Sequence, residues 1–107
     1  MNAEHYIKTL ELIPHPEGGY YKETYRSSLN INTKEGKRHV STAIYFLLPE
    51  NNFSAFHKIK SDELWHFYTG DVLEVIEITT EGKLKVTELG ADNFQYCVPA
   101  GNFLPPP

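Results

Sequence analysis

Residues 53–71 read FSAFHKIKSDELWHFYTGD. Two short aromatic-rich segments flank the polar break Lys60-Ser61-Asp62, and Gly70-Asp71 closes the unit as a turn. Alternation on either side of the break predicts two strands. In a strand, residues two apart share a face, so Glu63 points with Trp65 and Phe67, and His57 with Phe53, Ala55 and Ile59. His66 falls on the opposite face with Leu64 and Tyr68 unless a bulge rotates it. Glu63 is an acidic residue embedded in an apolar pattern, which costs free energy unless the charge is paired, bound or exposed. Chemistry is therefore sought here first.

The flanking segments continue the strand pattern. Residues 40–48, VSTAIYFLL, are β-branched, aromatic and nearly continuous in apolar character, which predicts a strand buried on both faces or central in a sheet. Residues 49–52 (PENN) form a turn. Residues 72–79 alternate Val72, Glu74, Ile76, Ile78 against Leu73, Val75, Glu77, Thr79, and residues 84–89 pair back across a hairpin loop at 80–83. A turn at 90–93 and a short strand at 94–98 follow. Upstream, residues 20–27 (YYKETYRS) alternate with Tyr21, Glu23 and Tyr25 on one face and Tyr20, Lys22, Thr24 and Arg26 on the other. Residues 29–39 are polar and read as a loop or ragged hairpin around Gly36. Residues 2–12 read as a short amphipathic helix capped by Asn2 and stopped by Pro14, and HPEGG at 15–19 reads as the turn into the first strand. About seven strands set off by turn signals, after one helix, indicate an all-β sandwich or barrel.

Composition sets the limits. At 107 residues the chain is read as one domain: helix at 1–13, loop at 14–19, β portion at 20–104 and a stiff tail at 105–107. Its 40% hydrophobic and 13% aromatic content supports a folded chain. Net charge is −4, and the ten basic residues are scattered, so no basic stripe marks a nucleic-acid surface. The run at 34–39 reads as a solvated hairpin tip. Cys97 is the sole cysteine, which excludes an intrachain disulfide and is read as a small core-facing residue beside Val98. Neither a signal peptide nor a window of roughly 18 apolar residues is present, so a cytoplasmic setting without membrane contact is expected. No phosphate loop or dinucleotide glycine pattern implies a cofactor. His5 and His39 read as surface histidines.

The residues resemble the cupin superfamily. Its first motif is His-x-His, a short spacer, Glu, six residues and Gly; here His57, Glu63 and Gly70 fit, and Ile59 stands where the second histidine belongs. Its second motif has a partial counterpart in Pro99-Ala100-Gly101, with Asn93 at the glycine position and Leu104 at the histidine position. The match is closer to an uncharacterised cupin subfamily, catalogued as a domain of unknown function, through LIPHPEGGYYKETYRS, STAIYFLL, the 53–71 stretch and VPAGN. The resemblance implies a jelly-roll, RmlC-like antiparallel barrel or sandwich with a short N-terminal helix. Members of the subfamily run further, so it also implies a chain missing its last strands, with an open edge that favours a homodimer. Ile59 and Leu104 leave too few ligands for a fixed metal. A divalent metal, if held at all, would use His57 and Glu63, with His66 after a change of register.

The expected function is binding of a small molecule of unknown identity in an aromatic-lined pocket. Expected lining residues are Tyr45, His57, Glu63, Trp65 and Phe67, with Glu23 and Arg26 from the first strand. Plain core packing is the competing reading for Tyr45 and Phe67, and a surface ion pair for Arg26. A second expectation is isomerase or epimerase chemistry, with His57 as base, Glu63 orienting it and Tyr45 as acid. A third is a structural or interaction module.

Overall fold

The computed structural model describes residues 2–16, 18–49 and 57–104, those of His57 without its side chain. They fall into two compact units, one within residues 1–52 and the other within residues 53–106. Glu17, the expected turn at 49–52, the strand start at 53–56 and the tail at 105–107 lie wholly or partly outside the described residues.

In the first unit, helix α1 (Ala3–Thr9) starts where Asn2 Oδ1 accepts the His5 backbone N–H at 3.0 Å. It is shorter than the expected 1–13. Leu10 caps it, Glu11 takes the left-handed conformation (φ 56°), and the Leu12 N–H donates back to the Ile7 carbonyl at 2.9 Å. This six-to-one closure, with Leu12 buried behind it, ends the helix before Pro14 is reached. Pro14 belongs to a strand instead. β1 (Ile13–Pro14) pairs with β2 (Tyr20–Arg26) through Ile13↔Tyr21 and Pro14↔Tyr20. Proline is tolerated there because β1 is an edge and its missing N–H leaves no ladder bond unmade. The HPEGG segment is thus a hairpin loop, closed by His15 N–H donating to the Gly19 carbonyl at 2.9 Å. Gly19 is required there: its φ is 75°, and a Cβ would lie 2.7 Å from the Leu47 carbonyl oxygen.

β3 (Asn30–Thr33) and β4 (Gly36–His39) form a regular hairpin, and β5 (Thr42–Leu47) pairs antiparallel with β2. Among the described residues the sheet order β1-β2-β5 makes β5 an edge strand of its sheet, and Val40, Ile44 and Tyr45 are exposed. This corrects the expectation of a strand buried on both faces or central in its sheet. A continuous apolar run is equally available to an exposed edge, because strand position is set by neighbours distant in sequence.

The second unit holds β6 (His57–Lys58), β7 (Glu63–His66), β8 (Leu73–Ile78), β9 (Leu84–Leu89), β10 (Gln95–Val98) and β11 (Phe103–Leu104). Its sheets are β10-β7 and β6-β11-β8-β9. The short β11, which the sequence pattern does not announce, is inserted between β6 and β8 through Leu104↔His57, Phe103↔Lys58 and Phe103↔Ile78. Both sheets feed one core of Ile59, Val75, Leu89, Val98 and Leu104, with Trp65, Phe67, Leu73 and Tyr96 packed against it. Burying such an aliphatic side chain contributes about 1.5–3 kcal/mol over leaving it exposed. Gly90 (φ 110°) lies flat on the Phe67 ring, where an added Cβ would come within 2.7 Å of Cζ. Cys97 is exposed, opposite exposed Leu64 in the β7–β10 ladder. It therefore faces away from the core, contrary to expectation, because Val98 takes the inward position and alternation sends its neighbour out. Among the described residues no helix is long and apolar enough to cross a membrane.

Candidate functional site

β7 and β10 run in uninterrupted register, Glu63↔Val98, Leu64↔Cys97, Trp65↔Tyr96 and His66↔Gln95. Directly opposed residues share a face. Glu63, Trp65, Phe67 and Tyr96 are accordingly half-buried, while Leu64, His66 and Tyr68 are exposed. The period-two reading of this stretch therefore describes its burial. No bulge rotates His66, so it stays on the face opposite Glu63.

The inward face of β8 carries a further acidic residue. Glu77 follows Leu73 and Val75 on that face and is fully buried. Its carboxylate is held from two sides. The Tyr96 hydroxyl donates to Oε2 at 2.5 Å, and Asn102 Nδ2 donates to Oε1 at 2.6 Å. One acid thereby ties β8 to β10 and to the turn before β11. Lys85 lies directly across from Glu77 in the β8–β9 ladder, and its Nζ sits 5.1 Å from the Tyr96 ring centroid. Hydrogen bonding to Tyr96 and then its charge raise the Lys85 pKa above the ordinary 10.5, partly opposed by burial, and the Glu77 charge adds the smallest effect. The turn itself is closed by Asp62 Oδ1 accepting the Ala100 N–H at 2.8 Å, and by reciprocal backbone bonds between Ile59 and residues 101–102.

Glu77, Tyr96, Asn102 and Lys85 are not among the site residues expected from the sequence. The signal for Glu77 is the one used for Glu63: a carboxylate at an inward position of an alternating strand.

Three of the expected site residues lie in the first unit. Arg26 Nη2 lies 2.7 Å from Glu23 Oε1, with both side chains substantially exposed. Simple alternation puts these residues on opposite faces. A bulge between Glu23 and Tyr25 sets Glu23 opposite Ile44 but Tyr25 opposite Ala43 and Arg26 opposite Thr42. One extra residue is absorbed, and Arg26 rotates onto the Glu23 face while Tyr25 leaves it. Tyr45 is opposite Lys22, on the other face of the sheet. The sheet therefore separates Tyr45 from the Glu23–Arg26 pair instead of gathering the three. His57 is placed by its backbone in β6, and its side chain lies outside the described residues.

Ile59 and Leu104, at the two positions where the cupin motifs carry histidine, are both 4% exposed and form part of the core cluster. They offer packing surface and no ligand atom, so these positions do not fit a metal. Among the described residues, no three His, Cys, Asp or Glu side chains group closely enough to hold one.

Comparison with known proteins accords with this architecture. A sequence model described as Cupin superfamily (DUF985) matches residues 4–104. The chain belongs to the cupin superfamily. Within this family of unknown function it is 32% identical to the uncharacterized protein YML079W of Saccharomyces cerevisiae, over 91% of this chain and 56% of that one. The chain thus spans little more than half of that relative. Two solved structures are similar. A hypothetical protein from Leishmania major has a TM-score of 0.89 at 36% identity, covering 98% of this chain and 69% of that one. Protein SO0799 from Shewanella oneidensis has a TM-score of 0.86 at 37% identity, covering 98% and 68%. This cupin is thus mostly β, with antiparallel sheets and a small N-terminal helix.

Proposed function

We propose that this cupin binds a small molecule on the inward face of β7 and β10, without a fixed metal. The observation that carries the reading is the placement of Glu63 on the same half-buried face as Trp65 and Phe67, with Tyr96 opposite Trp65. Aromatic side chains beside a carboxylate suit a flat ring or a sugar face whose hydroxyls or amines Glu63 accepts from. Tyr96 is fixed in that surface by Glu77, so the aromatic wall is held in place and loses little freedom when a ligand arrives. Glu23, Arg26 and Tyr45 are not part of this surface in the proposal.

Native mass spectrometry of the purified protein, followed by saturation-transfer NMR against a panel of sugars and aromatic acids, tests it. Binding is expected in the wild type and lost in Glu63→Ala and Trp65→Ala with the fold retained. Compounds that bind both variants as well as the wild type, or no binding at all, would sink the idea. If a bound compound is also turned over, and His57→Ala abolishes turnover while keeping binding, the function becomes isomerase chemistry at this site.

A further inference from the structure

One face of the β1-β2-β5 sheet collects aromatic and charged side chains. The register Tyr21↔Phe46 and Glu23↔Ile44 puts these four residues on it, and the bulge adds Arg26. The HPEGG hairpin, closed also by Gly18 N–H donating to the His15 carbonyl at 3.0 Å, sets the His15 ring against the same face. The His15 ring centroid lies 5.0 Å from that of Tyr21 and 5.3 Å from that of Phe46. All three residues are half-buried, which makes an aromatic corner with part of its surface in water. Beside it the face is open, with Ile44 42% exposed. The opposite face is engaged at Lys22, whose Nζ lies 3.0 Å from Glu11 Oε2.

The Glu23–Arg26 pair stands one step along the strand from this corner. An exposed ion pair contributes about 0–1 kcal/mol, too little to account for a register fault that brings Arg26 across the sheet. Bulges that re-aim a side chain recur beside binding sites. This one sets a carboxylate and a guanidinium 2.7 Å apart, both in reach of solvent. Arg26 keeps donors and Glu23 keeps lone pairs beyond their mutual contact. Side by side they complement a zwitterion whose ammonium meets Glu23 and whose carboxylate meets Arg26. Residues two apart in a strand are spaced about 7 Å, so a ring on a short stem from that zwitterion reaches Tyr21 and Phe46. A free aromatic α-amino acid has these three parts in that order.

We propose that this face binds a free aromatic α-amino acid, with Glu23 on its ammonium, Arg26 on its carboxylate and its ring against His15, Tyr21 and Phe46. Isothermal titration calorimetry of the full chain with L-phenylalanine is the test. Three analogues, 3-phenylpropionate, phenethylamine and L-alanine, lack the ammonium, the carboxylate and the ring in turn. Saturable binding of L-phenylalanine is expected, with each analogue about tenfold weaker or more. Arg26→Gln and Glu23→Gln should each weaken L-phenylalanine about tenfold or more while melting as the wild type does. If either variant fails to fold, the analogue series decides. The proposal is overturned if L-phenylalanine shows no saturable binding, or if any analogue binds as tightly. It is overturned equally if folded Arg26→Gln and Glu23→Gln bind as the wild type does, or if binding is lost in Glu63→Ala and kept in Glu23→Gln.

Discussion

The hydroxyl of Tyr96 donates to the fully buried carboxylate of Glu77 at 2.5 Å, and Asn102 donates to its other oxygen at 2.6 Å. A carboxylate taken wholly out of water is tolerated only because both oxygens are satisfied. Removing one donor leaves a lone pair buried without a partner. Tyr96→Phe should therefore cost about 1–3 kcal/mol, and Glu77→Ala, which leaves two donors and a cavity, about 3–5 kcal/mol. Urea denaturation of the single and double variants forms the cycle that measures it. A coupling near zero between Tyr96→Phe and Glu77→Ala would show that the hydrogen bond carries no net stability.

Gly90 has a φ of 110° and no room above it, since an added Cβ would meet Phe67 Cζ at 2.7 Å. Gly90→Ala combines left-handed strain with a clash against an aromatic ring that itself packs on the core. A loss of about 2 kcal/mol or more is expected, read as a fall in melting temperature. Gly70, at φ 113° with nothing within 4 Å of a built Cβ, is the control. Gly70→Ala should suffer the backbone strain alone and lose less.

The Glu23–Arg26 pair is exposed, so its measured worth should be small. Arg26→Ala is expected to change stability by less than about 1 kcal/mol, and the difference should shrink in high salt. A larger, salt-independent loss in chemical denaturation would mean that Arg26 holds the bulge in place and is more than a surface charge.

Lys85 stands across from the buried acid in the β8–β9 ladder, with its Nζ over the Tyr96 ring. Its folded pKa is raised above 10.5, first by the hydrogen bond to Tyr96, so its contribution to stability is fully present below that value and is lost as pH rises through the folded value. An NMR titration of the Lys85 side chain should show a midpoint above 10.5 in the wild type, falling back toward it in Tyr96→Phe. Identical midpoints in the two proteins would contradict the assignment.

The alternation of Glu63, Trp65 and Phe67 against Leu64, His66 and Tyr68 is legible in the residues and holds in the structure, because a strand's period of two is a local property. The hairpin loops at Gly36 and Gly82 are legible for the same reason: a positive φ is a demand on one residue, which glycine meets. The cupin motifs carry the fold further than strand counting does, and they place Ile59 and Leu104 at ligand positions before any coordinates are known.

Tertiary structure decided which of the alternating faces would be dark. The pattern LEVIEI at 73–78 assigns Leu73, Val75 and Glu77 to one side, yet nothing local says that this side turns inward and takes the carboxylate with it. That depends on Tyr96 and Asn102, nineteen and twenty-five residues away, arriving as donors. The bulge that rotates Arg26 onto Glu23 depends on β5, and the edge position of β5 depends on which strands pair with β2. Local chemistry determined the strands, turns and shared faces of this protein. Burial, register faults and sheet order followed from contacts between distant segments, since their free energy exists only once those segments meet.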